Sequence, residues 1–447
     1  MSSTFRIRLI ALFAALVLVL AACGSRSDDG DAAPDDDGPS GEVPEASEDS
    51  PCGDGDATGA TDVGVTDDSI TIGTIHDIGG ELRPDLMLGP RQAMEAFVEY
   101  CNSLGGVNGR ELVLNEYDSA LLEHSRAAEE ACQDDNFALV GSASAQDNQG
   151  AQILVDCAIP SVPTFTATSE FADADLMVQP IPNPPNEYSA GPCVYIAETY
   201  PEAVQAAATT YSDYPVTQIT ADRQIEACET AADWTFVSEQ STNPLGEDNW
   251  PPKLQTMANE GARYYTHWGE KEDLAQALIN AEQQNIEFDV VDVGPQFYDP
   301  AFPVLADGAA EGTLIWMTVT PLEEVDDNPE MQTYFDWLER TSGGEPTALG
   351  VQTWSSGLLF AAAVKELGSD VTRDSLVEEL SGIHEWTGNG LHHETDPGDN
   401  RAANCFVYVE VAGDGFERHY PEEGFDCDDS YRVALTGDYG QGARRSG

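Results

Sequence analysis

Ser69-Ile70-Thr71-Ile72-Gly73-Thr74-Ile75 is followed by Leu88 to Ser103, by the glycine-punctuated Gly105-Gly106-Val107-Asn108-Gly109-Arg110, and by Glu111 to Glu116. The first and last of these runs have strand character, and Leu88 to Ser103 carries Met94, Phe97 and Val98 on one face of a helix. Gly105 and Gly109 suit a turn that stops the helix, because glycine reaches positive φ without a steric cost. Outward from this core the alternation continues. Glu123 to Asp134 reads as helix, Phe137 to Val140 as strand, Gln149 to Cys157 as helix and Ile159 to Pro163 as strand. Parallel strands need right-handed crossovers, so the repetition predicts a parallel sheet covered by helices on both faces.

Pro180, Pro182, Pro184 and Pro185 then interrupt the pattern, since so many prolines continue neither a ladder nor a helix. Beyond them strand character returns at Val216 to Thr220, Trp234 to Ser238, Arg263 to Thr266 and Glu287 to Val293, with helical stretches at Gln224 to Ala231, Lys253 to Asn259 and Lys271 to Gln284. Thr313 to Val319 reads as a further strand, Met331 to Thr341 and Val351 to Leu367 as helices, and Cys405 to Val411 as a late strand. The span from Asp67 to Gly437 is too long for one core and suits two α/β lobes.

At the amino end, Arg6 and Arg8 precede an apolar run from Leu9 to Leu20 with the order and length of a secretory signal, too short to span a bilayer comfortably. Leu20-Ala21-Ala22-Cys23 resembles the lipobox of bacterial lipoproteins, which implies cleavage after residue 22, lipidation of Cys23 and an extracytoplasmic chain anchored to the cell membrane. Stable retention takes at least two acyl chains. Residues 23–66 read as an acidic disordered tether, with Val43 the one branched aliphatic between Ser25 and Ser50. The whole chain sets 19 Lys and Arg against 81 Asp and Glu, a net charge of -62 that repels phosphate backbones, so nucleic acid is excluded as a partner.

Nine cysteines become eight once Cys23 is lipidated, and an even number outside the membrane favours disulfides. In a 2-1-3 strand order the helix ending near Cys101 lies on the opposite face from those ending near Cys132 and Cys157. The expected pairs are therefore Cys52 with Cys101 and Cys132 with Cys157; Cys193 with Cys228 and Cys405 with Cys427 follow by proximity.

The run Ile70-Thr71-Ile72-Gly73, the turn Gly105-Gly106-Val107-Asn108-Gly109-Arg110, Tyr117-Asp118 and Leu139-Val140-Gly141-Ser142 together resemble the opening of type 1 periplasmic binding proteins, the Leu/Ile/Val-binding family. Fainter similarity extends through Trp354 to Phe360 and through Trp386 to Leu391. The resemblance implies an α/β fold of two doubly wound parallel-sheet lobes joined by three crossover strands, with a ligand cleft between them. It implies residues 67–183 and 312–382 in the first lobe, 184–311 and 383–437 in the second, and 438–447 as a flexible tail. The implied protein is a monomeric solute receptor of an ABC importer, partnered by permease subunits, touching the membrane only through its lipid anchor and using no cofactor.

Family ligands are held by hydroxyls and backbone amides on loops after first-lobe strands, which match Ser144, Ala145 and Gln146 and then Thr166, Ala167 and Thr168 here. Such loops sit beside helix starts whose free N–H groups favour anions, although helix capping by Ser144 or Thr168 accounts for each separately. From the second lobe the resemblance points to Trp268 as an aromatic wall, with a core tryptophan as the alternative. It also points to Gln296 where amino-acid binders commonly carry Glu, and a neutral amide offsets no ammonium charge. The sequence has Asp222-Arg223-Gln224-Ile225 where relatives often place a Tyr. Arg223 and Arg83 suit either an anionic ligand or the surface of an acidic protein. Branched-chain amino acids are the family default, with short amides, urea-like molecules and aromatic acids open.

Enzyme classes find little support. The chain lacks G-x-S-x-G and H-E-x-x-H. His392-His393 lies near Glu394, Asp396 and Asp399, yet adjacent side chains point apart, so no metal site is assigned. A ligand-sensing subunit of a signalling system, or a surface hydrolase, remains the alternative to the importer receptor.

Overall fold

The computed structural model describes residues 49–81 and 83–445; Cys23, the signal-like run and most of the acidic run lie outside them. The chain begins with β1 (Ser69–His76), α1 (Leu88–Ser103), β2 (Glu111–Asp118), α2 (His124–Gln133), β3 (Ala138–Val140), α3 (Asn148–Asp156), β4 (Ser161–Val162) and α4 (Ser169–Ala172). These strands form a wholly parallel sheet in the order β2-β1-β3-β4. Ile70, Ile72 and Ile75 make β1 its buried centre. The glycine turn between α1 and β2 is obligatory: at Gly106, with φ 79°, an added Cβ would lie 1.9 Å from the Arg110 carbonyl oxygen.

The second sheet draws on β5 (Glu187–Ser189), α5 (Gly191–Thr199), β6 (Ala207–Ser212), α6 (Pro215–Ala232), β7 (Phe236–Thr242), α7 (Trp250–Glu260), β8 (Tyr264–Trp268), α8 (Lys271–Gln284), β9 (Val290–Val293), α9 (Ala301–Leu305) and β10 (Leu314–Met317), although β5 stands apart from it. After α10 (Pro329–Thr341), α11 (Ala348–Leu367) and α12 (Arg373–Leu380), the chain adds β11 (Cys405–Ala412), β12 (Gly415–Tyr420), β13 (Asp426–Cys427) and β14 (Arg432–Ala434). The order is β12-β11-β10-β9-β8-β6-β7, parallel from β7 to β10 and antiparallel where β11 and β12 join. β13 pairs with β11, and β14 pairs with β5 in a separate ribbon.

Four expectations need correction. The return to the first lobe comes after Met317 and not at residue 312, because β10 pairs with β9 and β11 in the second sheet. Val216 to Thr220 belongs to helix α6: Pro215 at its first position presets helical φ, and the true strand is the alanine- and threonine-rich β6 just before it. The tether ends earlier than residue 66, because Cys52, Ala57 and Val65 are buried and Gly53 N donates to Gly106 O at 2.7 Å. The tail from 438 to 445 is bound, not loose: Tyr439 OH donates to Glu226 at 2.6 Å on α6, while Ala443 N donates to Glu170 O at 2.8 Å on α4.

Helices α10 and α11 pack on α1, so a late part of the sequence completes the first lobe. Trp354 of α11 packs edge-on against Phe97 at 5.3 Å and lies near Tyr100 and Tyr334, and its indole N–H donates to Glu330 at 2.8 Å. The four expected disulfides are present: Cys52–Cys101, Cys132–Cys157, Cys193–Cys228 and Cys405–Cys427. Segments crossing between the lobes are bonded side by side. Val319 bridges His392, Thr320 N donates to Leu391 O at 2.9 Å, and Thr395 Oγ1 donates to Pro180 O at 2.6 Å.

Burial lowers five histidines, His76, His124 and His393 to about 4 and His267 and His392 to about 3. Unfolded histidine takes up a proton near pH 6.5 that these folded rings decline, so each costs stability as pH falls from there to the folded value. Burial raises Asp147 and Asp292 to about 7, which acts in the opposite sense between pH 7 and 4, two groups against five. Stability should therefore drop on acidification below pH 6.5. His124, whose buried Nδ1 has no partner, should supply about 1.4 kcal/mol per pH unit of that slope. Denaturant melts of wild type and His124→Gln from pH 7 to 4 check this; equal slopes would refute it.

Candidate functional site

The carboxyl ends of the parallel strands of the two sheets are brought together by Arg83, on the loop after β1. Its guanidinium lies 3.6 Å from Asp273, at the start of α8, and 3.4 Å from the carbonyl of Pro244, after β7. Tyr214, on the loop after β6, and Glu270 share this field: burial raises both, Arg83 opposes the rise in each, and Glu270 adds to that of Tyr214. Arg83 is thus neither a free surface cation nor unpaired; it spans the mouth of the cleft.

Along the edge of the first sheet, the chain's own carboxylates occupy the main-chain N–H groups. Asp77, directly after β1, accepts from Leu121 N at 2.9 Å, Ala145 N at 2.8 Å, Ser119 Oγ at 2.5 Å and Ser144 Oγ at 3.2 Å. Asp118 accepts from Ile78 N, Gly79 N and Ala120 N at 3.1, 2.9 and 2.8 Å. Asp147 accepts from Ala167 N at 2.7 Å, Thr168 N at 3.1 Å and the Thr168 hydroxyl.

The expected site residues on this edge are therefore together, but engaged. Ser144 and Ala145 bind Asp77, Ala167 and Thr168 bind Asp147, and Thr166 Oγ1 donates to Gln179 at 3.0 Å. Thr168 stands at the cap position of α4 without a side-chain cap bond, so capping does not explain it. Gln146 is half-buried beside them. Asp77 and Asp147 are invisible to sequence reasoning because 81 acidic residues offer no contrast; their signals are a place just past β1 for Asp77 and just before α3 for Asp147.

Across the cleft, Trp268 closes β8 and is 9% exposed, its indole N–H donating to Gln224 Oε1 at 2.7 Å. Gln296 lies near it: an added Cβ on Gly294 would meet Gln296 Oε1 at 2.6 Å and Trp268 Cη2 at 3.5 Å. Ser212 Oγ and His267 Nε2, both buried and without a hydrogen-bond partner, flank Gly269 in the same way, at 2.6 and 2.5 Å from its absent Cβ. Toward the crossovers, a cavity of about 250 Å³ is lined by Tyr298, Pro300 and Phe416 on one side and Phe335 and Pro346 on the other, with Leu322 and Glu323 between.

Two readings of charged residues change. Asp222 to Ile225 lies inside α6, and the loop after β6 carries Tyr214 instead. Arg223 is 5% exposed and donates to the carbonyls of Pro184 and Glu187 at 2.6 and 3.1 Å, which makes it a staple of the first crossover. His392 and His393 are structural too: Nε2 of His392 meets Ser355 Oγ at 2.9 Å, and each Nδ1 bonds the following carbonyl.

A family profile described as periplasmic binding protein matches residues 69–416. Comparison with curated proteins gives no match. Among solved structures, the chain is similar to a fatty acid ABC transporter substrate-binding protein from Thermomonospora curvata, at 15% identity and TM-score 0.70, covering 84% of this chain and 97% of that one. It is also similar to a branched-chain amino acid transporter substrate-binding protein from Streptococcus pneumoniae in complex with isoleucine, at 14% identity and TM-score 0.65, covering 79% and 100%. A solute-binding protein from Rhodopseudomonas palustris in complex with p-hydroxybenzoic acid follows, at 17% identity and TM-score 0.66, covering 80% and 97%.

Removing the Arg83 guanidinium leaves the carboxylate of Asp273, 6% exposed in its side chain, without its cation. Arg83→Ala should lower stability by about 1–3 kcal/mol and enlarge the radius of gyration. Unchanged melting and an unchanged small-angle scattering profile would sink the clasp.

Proposed function

Because the chain belongs to the periplasmic binding protein family, we propose that it is the extracytoplasmic receptor of an ABC importer, closing its lobes around a small polar solute and releasing it unaltered. The observation that carries this reading is the facing of the two strand edges across Arg83, Asp273 and Pro244, beside crossovers bonded to one another. A hinge of that kind lets the lobes move as bodies, and a solute that contacts both edges favours the closed form. Permease subunits would then recognise the closed surface, and Cys23 would hold a monomeric receptor at the membrane.

Trp268 and Gln296 offer a flat wall and an amide on the second lobe, and Gln146 and Tyr214 have half-buried side chains at the cleft. We assign the solute contacts to these residues, with the Ser144–Ala145 and Thr166–Thr168 loops as the floor. Amino acids of the branched-chain type are the starting class for a screen, followed by amides and organic acids.

Thermal-shift screening of oxidised protein, followed by calorimetry on hits, tests the assignment. A solute at a hundred times its Kd should stabilise the fold by about 2.7 kcal/mol, and small-angle scattering should show contraction. A blank at millimolar concentrations across all classes, or recovery of a chemically changed solute, would end the receptor reading.

A further inference from the structure

We propose that the solute of this cleft presents no carboxylate to the first lobe and is instead a neutral or cationic hydrogen-bond donor, such as an amide, a urea or an amine. The inference rests on the receptor reading and narrows it. Seven main-chain N–H groups at the first-sheet edge, those of Ile78, Gly79, Ala120, Leu121, Ala145, Ala167 and Thr168, already point at Asp77, Asp118 or Asp147. An N–H aimed at one carboxylate oxygen has no second strong bond to give. A solute carboxylate would therefore have to expel an aspartate from donors that hold it, or lie beside it as a like charge.

On the opposite wall the indole N–H of Trp268 is held by Gln224, and the polar groups left there, Ser212 Oγ, His267 Nε2 and the Gln296 amide, are uncharged; on the first lobe one Arg83 nitrogen is drawn to Asp273 and Pro244. That wall also offers acceptors: the amide oxygen of Gln296, and Glu270, which interacts with Arg83 alongside Asp273. Asp77 and Asp147 are 1% and 2% exposed, so each fills its socket rather than hovering in solvent above it.

The sockets themselves are testable without any solute. Asp147→Ala removes the carboxylate and leaves Ala167 N and Thr168 N facing a space of formate size. In sodium formate its melting temperature should exceed that in sodium chloride of equal ionic strength by a few degrees, while wild type melts alike in both salts. Asp77→Ala should behave likewise at Ala145 and Leu121. If Asp147→Ala does not fold, Asp147→Ser, which leaves part of that space open and keeps one acceptor, should show a smaller gain in formate.

Failure of formate to rescue the variants would overturn the proposal. So would stabilisation of wild type by formate, or a larger shift with L-leucine than with leucinamide. A screen in which no solute of any class shifts wild type would end the receptor reading instead, and the formate result would still say who fills the sockets.

Discussion

Every parallel strand that ends at a cleft leaves backbone N–H groups of the next loop or helix start without intrachain partners, and these must be satisfied before anything else at that edge can be arranged. In this protein aspartate side chains do so. Asp77 follows β1, Asp118 ends β2 and Asp147 stands immediately before α3, and each reaches sideways to a neighbouring loop, so that the loops after β1, β2, β3 and β4 are tied to one another. The ties fix the loops that carry Ser144, Ala145 and Thr168. They also set the cost of burying charge: Asp147 sits amid three donors, yet desolvation outweighs them and its carboxyl is pushed up to about 7.

The same economy governs the cations. In a chain with so few of them, several arginines hold backbone carbonyls in place instead of answering carboxylates. Arg373 donates to the carbonyls of Asn136, Phe137, Cys157 and Ala158, Arg110 to those of Gly368 and Gly59, and Arg223 to Pro184 and Glu187. A planar guanidinium suits this task, since its donors fan out in a fixed geometry. Each of these arginines binds a segment distant in sequence, which is how α12, the amino-terminal loop and the first crossover are fastened.

The alternation of strand and helix was legible because period and punctuation are local properties. Leu88–Ser103 and Lys271–Gln284 match to the residue, and Cys52–Cys101 and Cys132–Cys157 follow from which face each helix must take. The first strand of the second lobe was misplaced for an equally local reason. Val216, Thr217, Ile219 and Thr220 imitate a strand, whereas the real one, Ala207–Ser212, sits between two parallel neighbours and needs little side-chain volume. That slip hid Tyr214. The site was less legible than the fold: residue types at loop positions pointed to Ser144 and Thr168, but which partner each hydroxyl and amide has is a matter of tertiary geometry, and acidic residues are too common here to stand out.

Those abundant carboxylates also bear on how the lobes meet. A net charge of -62 means that two acidic half-molecules approach one another on closure, and at physiological ionic strength the repulsion is screened beyond about 8 Å. Within that distance only specific pairing helps. Arg83 provides it where the loops after β1, β7 and β8 converge, and the bound carboxyl-terminal segment adds another by reaching from Glu226 on α6 to Glu170 on α4. Under the proposed receptor function, closure would balance a diffuse, salt-dependent repulsion against a few short contacts at the mouth and the hinge, and a solute would tip that balance only by contacts with both lobes at once.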